Sequence, residues 1–385
     1  MTVGRRRYRF GFILSTSLGN ITRYEIFRKF ASRDPDVDCV WAPVKHYIGP
    51  EERDPFSWLP GFLRTRAIVV MQSMPVLRHF GSFDAVMIHM YEVDMITAIR
   101  SYFARQPVRI VSTDDAPALD PDTYPLHPVE RKKPAWQRAI RLKIDLWRAR
   151  RADVLIPFSN WAGNILAAGV GIPRERISPI HVGLDLEAWK APERSVSSRD
   201  EVRLLFVGGD FARKGGEHLL AAFRQLDSLA ELHLVTEQAP EGLPAGVQVH
   251  TGIRPNDERL HALYRAADIF VLPTTSDLVP WVVLEAMASG CAVVSTPVGG
   301  IVDLVVDGET GLLVPVGDIP RLTDAIRTLI ADPQLRQRMG RNGRARVEAS
   351  FSAEKNVPRI LQVMKRAVDM SRHRSPVDGI RVTSR

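Results

Sequence analysis

The chain has 385 residues, 45% hydrophobic and 25% charged, a balance that excludes a disordered, fibrous or disulfide-scaffold protein and leaves length for two domains. Lys and Arg number 52 against 44 Asp and Glu, so the net charge of +8 admits nucleic acid, anionic headgroups or phosphorylated small molecules as partners. No apolar run approaches the roughly 18 residues that span a bilayer; the longer ones, such as 67–71, have the length of buried strands. Arg5, Arg6 and Arg7 precede an apolar stretch too short for a signal peptide. Cys39 and Cys291 form no disulfide framework, so a reducing cytosol is the expected setting.

Tyr8–Ser15 is a short apolar run ending in the polar loop Ser17-Leu18-Gly19-Asn20, which reads as a buried strand feeding a helix from near Thr22. Strand-like runs recur at 84–90, Val108–Thr113 and 153–157, with helical patterns between them. That alternation implies a parallel sheet covered by helices. Residues 179–183 read as the last strand of this half. The stretch 185–200, with Pro192 and a Ser-Val-Ser-Ser run, is the expected linker. A second series follows at Val202–Val207, 232–235, Val247–His250, 269–273 and 292–296. Its helices carry apolar stripes such as Leu260, Leu263 and Tyr264.

The expected fold is therefore α/β, with two Rossmann-like doubly wound parallel sheets. The first domain covers 1–184, the linker 185–200 and the second domain 201–355. Residues 356–385 hold a closing helix, placed to pack back on the first domain, and a basic tail that frays beyond about Asp369. Ligands in such sheets sit beyond the carboxyl ends of the strands, here between the halves.

Three segments carry chemistry. In the first, a strand ends in Gly208 and Gly209, and Arg213 and Lys214 follow before a helix. Glycines let backbone approach a ligand, and cations beside helix N–H groups suit a diphosphate. A plain glycine turn with two solvated cations fits that segment equally well. The second runs from Pro273 to Gly290, with Asp277 just past a strand and Glu285 on the next helix. A carboxylate on a mostly apolar helix needs donors, which sugar or ribose hydroxyls supply. Taken alone, Glu285 is more simply an exposed helix glutamate. The third combines Gly299-Gly300 before a short helix with an Asp307-Gly308 turn into a strand.

In this order and spacing the three segments resemble the retaining glycosyltransferases of family four, often called group 1, which have the GT-B fold. The likeness covers Val202 to about Phe351 and extends weakly to Pro157-Phe158-Ser159-Asn160-Trp161 and Gly183-Leu184-Asp185. The resemblance implies that Lys214, with Arg213, neutralises a donor diphosphate and that Glu285 holds the donor ribose. It places the first acid of a paired motif at Asp277, the sugar phosphate against Pro280, Trp281 and Val282, and the nucleobase beside Gly252 and Ile253. Gly19 lets the first-half loop reach the phosphates. Departures are the shorter Asp277, Gly209 where Arg is frequent, and Thr113-Asp114-Asp115 where many members have His; Tyr124 and His127 match an Asp-rich subset. Asp114, Asp115, Tyr124 and His127 thus mark the acceptor side.

The implied function is transfer of a sugar, with retention, from a UDP- or GDP-activated donor to a saccharide or lipid-linked acceptor in surface polysaccharide or glycolipid synthesis. No metal and no cofactor beyond the donor are expected. The competing reading is a degenerate GT-B protein that binds a nucleotide sugar without transferring it. Residues 131–151, basic with Trp136 and Trp147, and residues 54–66 fit either a peripheral contact with an anionic membrane or, more simply, a core helix with a solvated cationic face. No nucleic-acid module is recognised, and a cytoplasmic setting, at most peripheral on the inner membrane face, is expected. His89 and His181 are read as structural.

Overall fold

The computed structural model describes residues 7–16, 20–45, 54–89, 91–100, 107–113, 134–189, 201–226 and 230–373. Two parallel sheets organise them. The first holds β1 (Tyr8–Ser15), β2 (Val37–Val44), β3 (Ala85–Ile88), β4 (Val108–Thr113) and β5 (Val154–Pro157) in the order β2-β1-β3-β4-β5. The second holds β6 (Val202–Val207), β7 (Ala230–Val235), β8 (Val247–His250), β9 (Ile269–Leu272), β10 (Ala292–Ser295) and β11 (Gly311–Leu313) in the order β11-β10-β9-β6-β7-β8. Both orders are doubly wound, so each sheet has a switch point where successive crossovers diverge, β1/β3 in the first and β6/β9 in the second. This is the α/β arrangement of two Rossmann-like sheets expected above.

The central strands read as unbroken apolar runs because helices cover both faces; β3, β9 and β10 are buried along their whole length. In the first half, α1 (Asn20–Ala31) covers one face, while α2 (Gly61–Leu77), α3 (Tyr91–Arg100) and α4 (Ala135–Arg151) follow the crossovers that pass over the other. A short α5 (Asn160–Asn164) follows β5. In the second half come α6 (Gly216–Phe223), α7 (Glu258–Ala266), α8 (Trp281–Ala288), α9 (Ile301–Leu304), α10 (Ile319–Ala331) and α11 (Pro333–Ser350), and α12 (Ala353–His373) closes the chain.

Several expectations change. Residues 67–71 lie inside α2, since a short apolar run has no periodicity to separate strand from helix. β2 is an additional strand. It pairs with β1 over eight residues at the sheet edge, where Pro43 is tolerated. Residues 179–183 form no strand. Ser178 and Ile180 donate to β5 carbonyls at 2.9 Å each, but Pro179 between them has no N–H to continue a ladder. α1 begins at Asn20 rather than near Thr22. α12 runs past Asp369 to His373, because Val357, Ile360, Leu361, Met364 and Val368 keep one apolar face buried. That helix lies on α1, and Tyr8 Oη donates to Asp369 at 3.0 Å while Lys365 pairs with Asp34 at 2.9 Å.

The carboxyl edges of the two sheets face each other. The Trp161 N–H donates to Asp303 Oδ2 at 2.9 Å, and Asn256 Nδ2 reaches Thr22 Oγ1 at 3.4 Å. Of the stretch expected as linker, Trp189 is buried against His261 and Tyr264 of the second half; residues 190–200 lie outside those described.

Candidate active site

The loop leaving β6 is held by the loop leaving β9, the two strands at the switch point. The Arg213 carbonyl accepts from Thr274 Oγ1 at 3.1 Å, from the Thr275 N–H at 2.9 Å and from Thr275 Oγ1 at 3.1 Å. Gly215 then turns the chain into α6 with φ +79°, and a Cβ there would fall on the Pro273 carbonyl, so only glycine fits. Within this clamp Lys214 Nζ meets Asp277 Oδ2 at 2.5 Å, both side chains largely buried. Arg213 is turned into the loop, donating to Asp210 Oδ2 at 2.9 Å and to the Ser276 carbonyl at 2.7 Å. A Cβ at Gly208 would crowd the Lys214 side chain, whereas Gly209 faces open space.

Asp277 is placed by its own neighbours. Gly299, at φ +54°, passes against the Asp277 carbonyl, and the Gly300 N–H donates to Leu278 O at 2.5 Å. The chain then enters α8 at Pro280, with Trp281 and Val282 in the first turn and their N–H groups directed at the cleft end.

Glu285 is in the second turn of the same helix and is 9% exposed, which corrects its reading as an exposed glutamate. Burial among Val283, Leu284 and Ala286 pushes its carboxyl up to about 7. The opposing influence is one hydrogen bond, donated by Tyr264 Oη to Glu285 Oε2 at 2.9 Å. Tyr264 is fully buried, and its phenol is pushed well above its ordinary value, by burial first and then by the Glu285 charge. Tyr264 was read in the sequence only as part of an apolar stripe. The signal was its hydroxyl, since a buried tyrosine needs a partner.

Gly252, just beyond β8, has φ +64°; its N–H donates to Glu237 Oε1 at 2.6 Å and its carbonyl accepts from Arg259 at 2.9 Å. Ile253 beside it packs on the core.

The facing edge of the first sheet is aromatic and basic. Phe158, following β5, carries the Arg23 guanidinium 4.7 Å from its ring centroid and stacks on His89 at 5.5 Å. His181 lies 6.3 Å from Phe158 and 5.4 Å from Trp281, which joins this cluster to α8. His89 Nδ1 is 3.0 Å from the Ser112 carbonyl, and His181 Nδ1 accepts from the Gly183 N–H at 2.8 Å. Gly19, Asp114, Asp115, Tyr124 and His127 lie outside the described residues. The structure thus brings Lys214, Asp277 and Glu285, with Gly208 and Trp281, to one end of the second sheet.

Residues 187–346 match the family described as glycosyl transferases group 1. A curated relative, the MMP alpha-(1->4)-mannosyltransferase of Mycolicibacterium hassiacum, is 28% identical over 57% of this chain and 56% of its own length, so the chain spans little more than half of it. Among solved structures, sucrose-phosphate synthase from Thermosynechococcus elongatus superposes with TM-score 0.76 at 20% identity, over 94% of this chain and 100% of that one. Anabaena HepE, solved in complex with UDP-glucose, gives TM-score 0.68 at 18% identity over 93% and 99%. At these identities the two structures share the fold, which is GT-B.

Proposed function

From the match of residues 187–346 to the group 1 glycosyltransferases we propose that the chain is a member that transfers a sugar from a UDP- or GDP-activated donor to a saccharide or lipid-linked acceptor, with retention and without a metal ion. The observation that carries this reading is the pairing of Lys214 with Asp277 between the loops that leave β6 and β9, the strands at the switch point, with Glu285 buried on the helix that follows. When the bond from the anomeric carbon to the diphosphate oxygen breaks, negative charge grows on the leaving group. An ammonium already fixed in a mostly buried loop stabilises that charge without reorganising. Asp277 Oδ2, 2.5 Å from Lys214 Nζ, holds the ammonium in place, and on this reading the sugar is bound beside the pair. Glu285, a carboxylate acceptor in an apolar helix, takes the ribose hydroxyls. HepE, which shares the fold, is described with UDP-glucose bound, which agrees with a nucleotide-sugar donor.

The test is a thermal-shift and transfer panel over UDP, GDP and their common sugars, with EDTA throughout and the product anomer read by NMR. The reading expects a shift with one nucleotide that Lys214→Ala and Glu285→Ala abolish. Unchanged transfer and unchanged affinity in both variants would overturn it. A nucleotide shift with no transfer to any acceptor would move the binding-only reading ahead.

A specific observation favours a membrane-borne acceptor. The first turns of α4 leave apolar side chains outside the core that Leu146 and Ala149 join: Trp136 is 63% and Ile140 51% exposed, one turn apart, beside the exposed Arg141, Lys143 and Arg150. Trp58, ahead of α2, is 76% exposed. We propose that this helical face lies on anionic lipid. Flotation with phosphatidylglycerol vesicles is expected to be lost in Trp136→Ser/Ile140→Ser, and binding indifferent to anionic lipid would refute the contact.

A further inference from the structure

The Glu285 carboxylate does not stand alone, and the residue holding it comes from a different helix. We propose that Tyr264 is a positioning residue for donor binding: its hydroxyl orients the Glu285 carboxylate and lets that carboxylate change protonation state in place. The proposal rests on the reading of Glu285 as the ribose contact.

The geometry points to this from three sides. First, Tyr264 Oη lies 2.9 Å from Glu285 Oε2 and 3.3 Å from the Val282 carbonyl one turn earlier on α8. A phenol has one proton and accepts another. With Glu285 ionised, Tyr264 donates to the carboxylate. With Glu285 protonated, the carboxyl donates to Tyr264 Oη, and Tyr264 donates to Val282 O. Both states are fully bonded, so the acid can cross its transition without the cost of an orphaned buried group. Second, the other oxygen remains available: among the described residues Glu285 Oε1 accepts no hydrogen bond, and the residue keeps 9% exposure. Fixing Oε2 therefore aims Oε1.

Third, Tyr264 is itself immobilised beyond what packing α7 requires. Its ring meets Trp189 edge-on at 5.4 Å and Phe270 at 5.8 Å, and Cys291 Sγ donates to its carbonyl at 3.4 Å. The charged and titratable groups on the neighbouring elements are engaged elsewhere. His261 stacks on Trp189 at 4.1 Å, Arg344 donates to the Ala288 carbonyl at 2.7 Å, and Asp303 takes Trp161 across the cleft. Tyr264 is left as the group that decides whether this carboxylate accepts.

Ribose hydroxyls are donors, so donor affinity requires the ionised acid and rises with pH through its transition. Removing the phenol oxygen while keeping the ring deprives the carboxylate of its one donor, and the transition moves to higher pH. The experiment is titration calorimetry of the full chain with UDP and with GDP from pH 5.5 to 8.5, for wild type, Tyr264→Phe, Glu285→Gln and the double variant. Tyr264→Phe is expected to bind the nucleotide roughly tenfold more weakly at pH 7, the loss of one charge-assisted hydrogen bond, and to recover toward wild type at pH 8.5. In the Glu285→Gln background the same change should have no further effect and no pH dependence.

A Tyr264→Phe profile superimposable on wild type overturns the positioning role. A uniform, pH-independent weakening also overturns it, since that is what a packing defect gives. If Glu285→Gln binds as wild type does, or no nucleotide binds the wild type, it is the ribose assignment of Glu285 that fails, which the first two outcomes leave untouched.

Discussion

The two carboxyl edges that face each other across the cleft are built by opposite means. On the second sheet, the loops that carry Lys214 and Asp277 are clamped by backbone: the first by the Arg213 carbonyl staple and the Gly215 turn, the second by the passage of Gly299 and Gly300. On the first sheet the described residues meet through rings and side chains, with Phe158 at the centre of Arg23, His89 and His181. Backbone clamps tolerate few residues and recur wherever the same nucleotide must be held. A cluster of side chains can be exchanged one at a time. The family match, 187–346, takes in the backbone-clamped edge.

The sharpest way to break that contrast is to remove the cation. Lys214→Ala should lower kcat by roughly 10²–10³-fold, the range for losing one preplaced charge partner of a leaving group. Steady-state kinetics with the donor found in the panel above read it directly. A loss confined to KM would mean that Lys214 serves binding alone.

Next is the clamp itself. Gly215→Ala places a Cβ against the Pro273 carbonyl at φ +79°, and should destabilise the fold by about 3 kcal/mol, read by urea denaturation. The control is Gly209→Ala, where a Cβ meets nothing, and stability should stay within about 0.5 kcal/mol of wild type. Equal behaviour of the two would show that the loop is not held as described.

Glu285 sharpens the comparison through pH. Its acid is raised from 4.5 to about 7 by burial. Between those values the native state keeps a proton that the unfolded chain has lost, so stability falls as pH rises through this window, by up to about 3 kcal/mol. Glu285→Gln should flatten that fall, seen as a melting temperature that no longer drops between pH 5 and 7. The sign is opposite to that expected for donor affinity under the proposal above, as a site charged for function at some cost in stability would show.

What was legible in the sequence follows the same division. β1, β4 and β6 appear where apolar runs placed them, because largely buried strands leave little else to read. β2 escaped because an edge strand tolerates Pro43, and residues 179–183 misled because an extended apolar run looks like a strand until Pro179 is asked for its N–H. At the site, the residue types were readable and their pairings were not. Lys214 with Asp277, and Tyr264 with Glu285, are joined by loops and helices whose register no local pattern reports. For Glu285 the apolar neighbours are the truer signal: a glutamate among them is buried and needs a donor.

The smallest effect tests whether the two edges are coupled by direct contact. Asp303, in α9, accepts from the Trp161 N–H at 2.9 Å, while Ser159 caps the same helix α5 by accepting from the Ala162 N–H at 3.1 Å. One first-half helix end is therefore capped from both halves. Asp303→Ala removes the cross-cleft acceptor and should cost about 1 kcal/mol of the contact, as loss of an N-terminal cap does. The expected reading is a donor KM raised about fivefold with kcat nearly unchanged, since closure is weakened and the chemistry is not. Ser159→Ala, whose lost bond lies within the first half, should lower the melting temperature and leave KM alone. If Asp303→Ala changes neither constant, the halves are held in register from the other end. There α12 bridges them through Lys365 to Asp34 at 2.9 Å and Arg372 to Asp84 at 2.5 Å, and the same assay on Lys365→Ala would show the KM change instead.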